Sequence, residues 1–263
     1  MPDSELAADQ LWLVGATAVE VRDVGQAPGW VALLAGFPTP EAVRGAAHRL
    51  GAPGWVVEVV DVEDGWQDVW KRYAQPVEVG PLVVAPAWRP VPVDAGRLVL
   101  TIDPGPCFGS GTHPTTRLLL AELSRLLQPG ATVFDVGTGS GILAVAAARL
   151  GAERVVAVDI DPAAVAVADS NMVANGVADR VEVSAHPVED VPGSFDVVVA
   201  NLTAAILAEL AGVLVAAVAP GGLLLLSGLL PGQWEHVADR FTALDLLEVP
   251  ALEGWVGAVL QHR

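Results

Sequence analysis

The sequence predicts an α/β protein: a mostly parallel sheet with helices on both faces, closed by an antiparallel hairpin and preceded by a small α+β unit. Three observations carry this. From Pro129 onward, solid runs of Val, Leu and Ile alternate with helix-length segments, the pattern of strands buried on both faces. The first of these strands ends in a glycine-rich turn that opens a helix. The terminal stretch LLEVPALEGWVGAVL holds two strand-like runs about a Pro- and Gly-containing centre, which reads as a hairpin pair.

The elements follow in order. Residues 5–14 read as a helix, and 16–22 and 30–37 as strands. Thr39-Pro40 opens a helix, because threonine caps and proline suits the first turn; Gly51 closes it. Residues 55–62 form a further strand. The resulting α-β-β-α-β order resembles a ferredoxin-like split βαβ whose first strand is missing or cut to a stub, and it assigns 1–63 to a small domain. Residues 64–100 are rich in Trp and Pro and read as an ordered linker, since a flexible one would be rich in Gly and Ser. The larger domain occupies 101–263. Its strands are ATVFDVG, RVVAVDI, RVEVSAH, FDVVVAN and LLLLSGL, and its helices include ILAVAAARL, the stretch from Asp161-Pro162 to Asn175-Gly176, 203–218 and 231–244. The nearly continuous apolar run 202–230 is interrupted by Glu209 and broken by Pro220-Gly221-Gly222, so it reads as a buried helix and a buried strand, not a membrane span.

Composition excludes several classes. With 52% apolar and 17% charged residues, a large core is available and wholesale disorder is excluded. Fourteen basic against 31 acidic residues give a formal charge of −17, a field that repels phosphate backbones and suits a small molecule or a basic protein. A single cysteine, Cys107, excludes an internal disulfide and a thiolate zinc cluster, and no metal site is expected. The acidic start MPDSELAADQ is not a secretory signal, so a cytoplasmic setting is expected.

Four motifs carry chemistry. Phe134-Asp135-Val136-Gly137-Thr138-Gly139-Ser140-Gly141 follows a strand and opens a helix. Ile142 stands where the dinucleotide fingerprint needs its third glycine, and no Gly-Lys-Ser/Thr ending makes a P-loop. Plain strand-to-helix turns use the same glycines. Asp159 ends the next strand, where a carboxylate accepts hydrogen bonds from both hydroxyls of a ribose; Asp161-Pro162 reads as a helix cap, and both acids also suit a simple turn. Asn201 ends the FDVVVAN strand on the same sheet edge, either facing a ligand with its amide or capping the next helix. Upstream, the segment from Pro104 to Thr116 concentrates glycines, hydroxyls and His113 before a helix. It either folds over a ligand or is a capped helix start with His113 at the surface, and Cys107 reads as a small packed residue. A glycine loop with a ribose acid and no phosphate-gripping lysine suits an adenosine ligand without a polyphosphate; S-adenosylmethionine fits that description.

Together these motifs resemble the ribosomal protein L11 methyltransferase family (PrmA). The resemblance runs through Phe108 to Thr116, Asp135 to Ala144, Val158 to Pro162 and Val199 to Asn201, and extends to Trp66, Trp70, Lys71 and Ala87-Trp88 in the linker. Ser110 stands where the family usually has threonine, which keeps the hydroxyl. The resemblance implies a class I methyltransferase fold, Rossmann-like, with a seven-stranded sheet. It implies S-adenosylmethionine as cofactor, with contacts from Phe108, Thr116, Gly137, Gly139, Asp159 and Asn201. It implies methylation of lysine and N-terminal amines of ribosomal protein L11. From the charge and the absence of membrane signals, no stable nucleic-acid or membrane binding is expected, and a monomer is expected. Asn201 is the candidate for orienting the amine, and no catalytic base is nominated. A methyltransferase of the same fold with another acceptor, and a non-catalytic cofactor-binding protein, are the alternatives.

Overall fold

The computed structural model describes residues 11, 14–16, 18–23, 31–37, 39–50, 56–57, 59, 74–89, 91–92 and 96–263. The chain divides into two compact units, Met1–Asp68 and Val69–Arg263.

In the first unit, β1 (Ala18–Asp23) and β2 (Val31–Gly36) pair antiparallel, Ala18 opposite Gly36 and Asp23 opposite Val31. Helix α1 (Pro40–Arg49) begins as its sequence dictates: the Thr39 side chain accepts the Ala42 N–H at 3.2 Å. Arg49 donates to the Val14 carbonyl at 2.9 Å, and Leu11, Ala16 and Leu50 form a small core against Leu33, Ala35 and Phe37. Most of the expected strand 55–62 and of the expected helix 5–14 lies outside the described residues, as do Trp66, Trp70 and Lys71; Val56, Val57 and Val59 are described and are exposed.

The second unit opens with a small sheet of β3 (Val77–Val79), β4 (Leu82–Pro86) and β5 (Leu98–Ile102), in which β4 and β5 run parallel. Its large sheet is built from β6 (Thr132–Val136), β7 (Arg154–Val158), β8 (Val181–Ser184), β9 (Phe195–Asn201), β10 (Val218–Leu229), β11 (Leu244–Glu248), β12 (Ala251–Leu252) and β13 (Trp255–His262). The strand order is β11-β13-β10-β9-β6-β7-β8, with β12 paired to β13. Pairings from β8 through β10 are parallel, and β13 runs antiparallel to β10 and β11, so the expected hairpin is present. One face is covered by α2 (Pro114–Leu126), α3 (Ile142–Arg149) and α4 (Pro162–Ala174), through Leu120, Leu123, Val145, Ala168 and Met172. The other is covered by α5 (Ala204–Ala216) and the short α6 (Gln233–Val237), through Leu207, Leu214 and Trp234. Every residue of α3 from Ile142 to Ala148 is buried, which its uninterrupted apolar sequence requires. No helix among the described residues is long and apolar enough to cross a membrane.

Three details differ from the sequence reading. The small sheet β3 to β5 is formed largely by residues inside the expected linker. Leu82, Leu100 and Ile102 are fully buried in the same core as α3, so this stretch belongs to the larger unit. The flanking prolines and tryptophans disguised two strand-length apolar runs. β10 begins at Val218, not Leu223: it passes through Pro220-Gly221-Gly222 by a register shift against β9. A Cβ at Gly222 would stand 2.9 Å from the carbonyl oxygens of Ala219 and Asp196, which only glycine avoids. Finally, the expected helix 231–244 is cut to α6 and a 3-10 turn, Ala238–Phe241. The tighter turn stacks Phe241 on Trp234 at 6.2 Å and delivers Leu244 to the core as the start of β11.

Candidate functional site

The predicted site residues converge on one edge of the large sheet, where the parallel strands end. Gly137, Gly139 and Gly141 all have positive φ (72°, 53° and 81°). The N–H groups of Gly137 and Thr138 donate to the Val158 carbonyl at 2.9 and 3.0 Å, which fixes the turn to β7. Gly139 is required for a second reason: a Cβ there would stand 2.8 Å from the Phe108 carbonyl oxygen. The Gly139 N–H donates to Asp159 Oδ2 at 2.9 Å, and Asp159 Oδ1 accepts the Asp161 N–H at 3.0 Å. Asp161 is the α4 cap that its sequence suggests, accepting the Ala163 N–H at 2.8 Å.

The upstream segment folds against the glycine loop. The Phe108 carbonyl accepts the Ser140 N–H at 3.0 Å, and Ser140 Oγ donates to the Gly109 carbonyl at 2.7 Å. Burial pushes the Cys107 thiol up, with the charges of Asp161 and Asp159 adding to it. The segment therefore lies close to both acids, and Cys107 is no thiolate nucleophile. Ser110 and Thr112 share a hydroxyl hydrogen bond of 2.8 Å, and with Trp88 and Pro104 they line a cavity of about 240 Å³. Phe108 is 55% exposed, an apolar ring beside the glycine loop.

At the far side, Asn201 Nδ2 donates to Thr116 Oγ1 at 3.3 Å. Asn201 is not the cap of the next helix: α5 is preceded by Thr203, which makes no side-chain cap bond. Asn201 is in register with Ser227 on β10, whose hydroxyl is buried without a partner. His113 is half-buried and not a surface residue. It caps α2, accepting the Thr115 N–H on Nδ1 at 3.4 Å, and its ring lies edge-on between Phe108 (5.2 Å) and Trp255 (4.9 Å). Burial lowers its pKa, so the ring is neutral at neutral pH.

Two features of the site were given no role in the sequence reading. Asp135 is fully buried; Thr138 Oγ1 donates to its Oδ2 at 2.6 Å, and its Oδ1 has no partner. Burial pushes its pKa up to about 7, against the opposing hydrogen bonds of Thr138 and the Ala144 amide. The second element is a pair of asparagines one turn apart, Asn171 on α4 and Asn175 at its end. Asn171 accepts the Asp103 N–H at 3.0 Å and donates to the carbonyls of Asp103 and Ser140 at 2.9 and 2.8 Å. Asn175 accepts the Thr101 N–H at 2.8 Å and donates to the Thr101 carbonyl at 2.7 Å. They pair the open edge of β5 as a strand would, and so locate the segment that begins at Asp103. Among the described residues, no cluster of His, Cys, Asp or Glu is placed to hold a metal.

The profile of the family described as ribosomal protein L11 methyltransferase (PrmA) matches residues 42–263. The ribosomal protein L11 methyltransferase of Geobacter sp. (strain M21) is 48% identical over 207 residues, 76% of this chain and 67% of that relative. That of Pelotomaculum thermopropionicum is 52% identical over 187 residues, 70% of this chain and 61% of the relative. The matched stretch thus spans roughly two thirds of these relatives' own length, and less in the second case. The crystal structure of a ribosomal protein L11 methylase from Lactobacillus delbrueckii subsp. bulgaricus superposes with a TM-score of 0.67 at 30% identity, covering 73% of this chain and all of that one. The strand order is that of the class I methyltransferase fold that the resemblance implies. With its profile, its relatives and its fold in agreement, the chain belongs to the ribosomal protein L11 methyltransferase family (PrmA).

Proposed function

We propose that this chain transfers methyl groups from S-adenosylmethionine to amines of ribosomal protein L11, at lysine side chains and the N-terminus. One observation carries the cofactor reading: Asp159 accepts one hydrogen bond on each oxygen, from the Gly139 N–H of the glycine loop and from the Asp161 N–H at the start of α4, and keeps a lone pair on each for a ribose diol. The donor set fits the rest of the molecule. No lysine or arginine lies in 103–116, 135–142 or 159–162, so nothing there grips a polyphosphate.

Asp159, Gly137 and Gly139 would hold the adenosine and amino-acid ends, Thr116 and Asn201 the acceptor-facing side, and Phe108 would cover the ligand. When bound, the cofactor supplies an electrophilic methyl group on a positively charged sulfur. The protein's part is alignment and exclusion of water. The segment 103–113, pinned by Ser140 at Gly109 and by Asn171 at Asp103, would form the roof. A lysine amine ordinarily titrates near 10.4, and both desolvation and a neighbouring positive charge favour its neutral form. Asn201 spends Nδ2 on Thr116 and offers Oδ1 to an amine N–H, turning the nitrogen lone pair toward the methyl carbon. The N–C bond forms as the C–S bond breaks, and the product ammonium releases its proton to solvent. The formal charge of −17 favours encounter with a basic protein over bare nucleic acid. In this reading the enzyme acts as a monomer in the cytoplasm.

The test is purified protein with labelled S-adenosylmethionine and recombinant ribosomal protein L11, read by intact mass. Gains in methyl steps that vanish in Asp159→Ala support the reading. No gain, with cofactor binding intact by calorimetry, refutes L11 as the acceptor.

A further inference from the structure

The row of rings Phe108, His113 and Trp255 is not used by the cofactor reading beyond Phe108 itself. Its position follows from topology. β13 runs antiparallel to β10, so its first residue lies at the edge where the parallel strands end; Val256 pairs with Leu229, the last residue of β10. Trp255 therefore stands beside the end of β10, on the Asn201 side of the site. His113 links it to Phe108, with ring centroids 4.9 and 5.2 Å apart and both pairs edge-to-face. None of the three is sealed in the core: Phe108 is exposed, and His113 and Trp255 are half-buried. The row crosses the carboxyl edge from the glycine loop to β13.

A second observation concerns how Trp255 is held. Leu252 pairs with Trp255 across a two-residue turn, Glu253-Gly254, with φ of 50° and 80°. Such turns favour Asn-Gly. Glu253 is the only non-glycine with positive φ among the described residues. Its carboxylate meets Arg117 on α2 at 2.7 Å, and the Arg117 backbone N–H donates to the His113 carbonyl at 3.1 Å. One ion pair thus ties the turn that begins β13 to the helix turn that carries His113.

We infer that Phe108, His113 and Trp255 form the wall of the acceptor subsite, which takes an alkylamine and its methylated forms, and that the Arg117–Glu253 pair positions Trp255 for this. The inference rests on the methyl-transfer reading above. Ring faces attract alkylammonium groups and tolerate added methyl groups, which a ring of hydrogen-bond donors would not. The neutral His113 presents no charge to repel the amine. Asn201 then accepts from an N–H of the unmethylated or monomethylated amine, while the wall packs the carbon side and alone faces the dimethylated one.

The experiment compares wild type with Trp255→Ala, Trp255→Phe and Glu253→Gln. Butyltrimethylammonium serves as an acceptor-side probe, S-adenosylhomocysteine as a cofactor-side probe and recombinant L11 as substrate. In Trp255→Ala, affinity for butyltrimethylammonium and kcat/KM for L11 should each fall by about tenfold or more, a loss that Phe largely restores. S-adenosylhomocysteine affinity should stay within about twofold, because no cofactor contact is removed. Glu253→Gln should show a smaller loss of the same kind. Unchanged acceptor parameters in Trp255→Ala, or a loss confined to the cofactor probe, would overturn the inference. Should Trp255→Ala fail to fold by its thermal melt, the wild type decides: butyltrimethylammonium must compete with L11 and not with S-adenosylmethionine. If wild type transfers no methyl group to L11, the function reading fails, and the wall is judged on butyltrimethylammonium binding alone.

Discussion

Asp159 and Gly139 are joined by a single hydrogen bond: the Gly139 N–H donates to Asp159 Oδ2 at 2.9 Å. The ends of β6 and β7 are thereby locked together, and the same carboxylate that closes the loop is the one offered to a ribose. A single substitution should therefore act on both. Asp159→Asn keeps the shape but removes the charge and leaves only one good acceptor. Its affinity for S-adenosylhomocysteine should fall by about 10- to 100-fold, as charge-assisted bonds are lost. Calorimetry measures this, with far-UV circular dichroism expected to be unchanged.

Gly139 faces two constraints that a paired experiment separates. Gly176 has a similar φ of 64° but opens onto free space, whereas a Cβ at Gly139 meets the Phe108 carbonyl oxygen at 2.8 Å. Gly176→Ala should cost about 1 kcal/mol, the left-handed penalty alone. Gly139→Ala should cost about 2 to 4 kcal/mol and displace Phe108 as well. Urea denaturation of both gives the comparison; equal losses would mean that the loop yields freely.

Asn201 acts at the acceptor side in this reading, and its amide is bonded to Thr116 at 3.3 Å. Asn201→Ala should lower kcat for L11 methylation by about 100-fold or more, the scale for loss of an aligning group. A rate near wild type would remove Asn201 from the site.

The glycine loop, Asp159, Asn201 and the segment from Phe108 to Thr116 were legible because each is a local pattern whose chemistry needs those residue types in that order. The parallel sheet was legible because strands buried on both faces have no polar positions to break their runs. β3 to β5 were not, since short strands bounded by proline look like loops until a helix is seen packing on them. Asn171 and Asn175 were less legible still. Asn171 follows Asp169 and Ser170 on the helix and reads as one more polar surface position, Asn175 reads as part of the helix stop, and only the backbone of β5 and of Ser140 explains their burial. The part played by Trp255 depends on strand direction, which no local pattern encodes.

Asn171 gives a measure of that hidden stitching. Asn171→Ala would leave the Asp103 N–H and the carbonyls of Asp103 and Ser140 without their partner. The loss should be about 2 to 4 kcal/mol, since buried backbone groups would lie unpaired. It should also weaken S-adenosylhomocysteine binding, because the segment over the glycine loop starts at Asp103. Stability by urea and affinity by calorimetry should fall together, whereas Asn175→Ala, further from the loop, should mainly lower stability.

Asp135 links the site to pH. Its pKa rises to about 7 in the folded protein because its carboxyl is removed from water, while in the unfolded chain it titrates near 3.8. Between those values the folded state binds the extra proton, so this group's contribution to stability is full below the unfolded value and is lost as pH climbs through 7. The difference is on the order of 4 kcal/mol across that window. Asp135→Asn cannot ionise, and its side-chain oxygen can still accept the Thr138 hydroxyl. Relative to wild type, this variant should therefore gain stability on going from pH 5 to pH 8. Urea titrations of both proteins at the two pH values measure the change, and parallel behaviour would show that the buried carboxyl finds enough hydrogen bonding to ionise without cost.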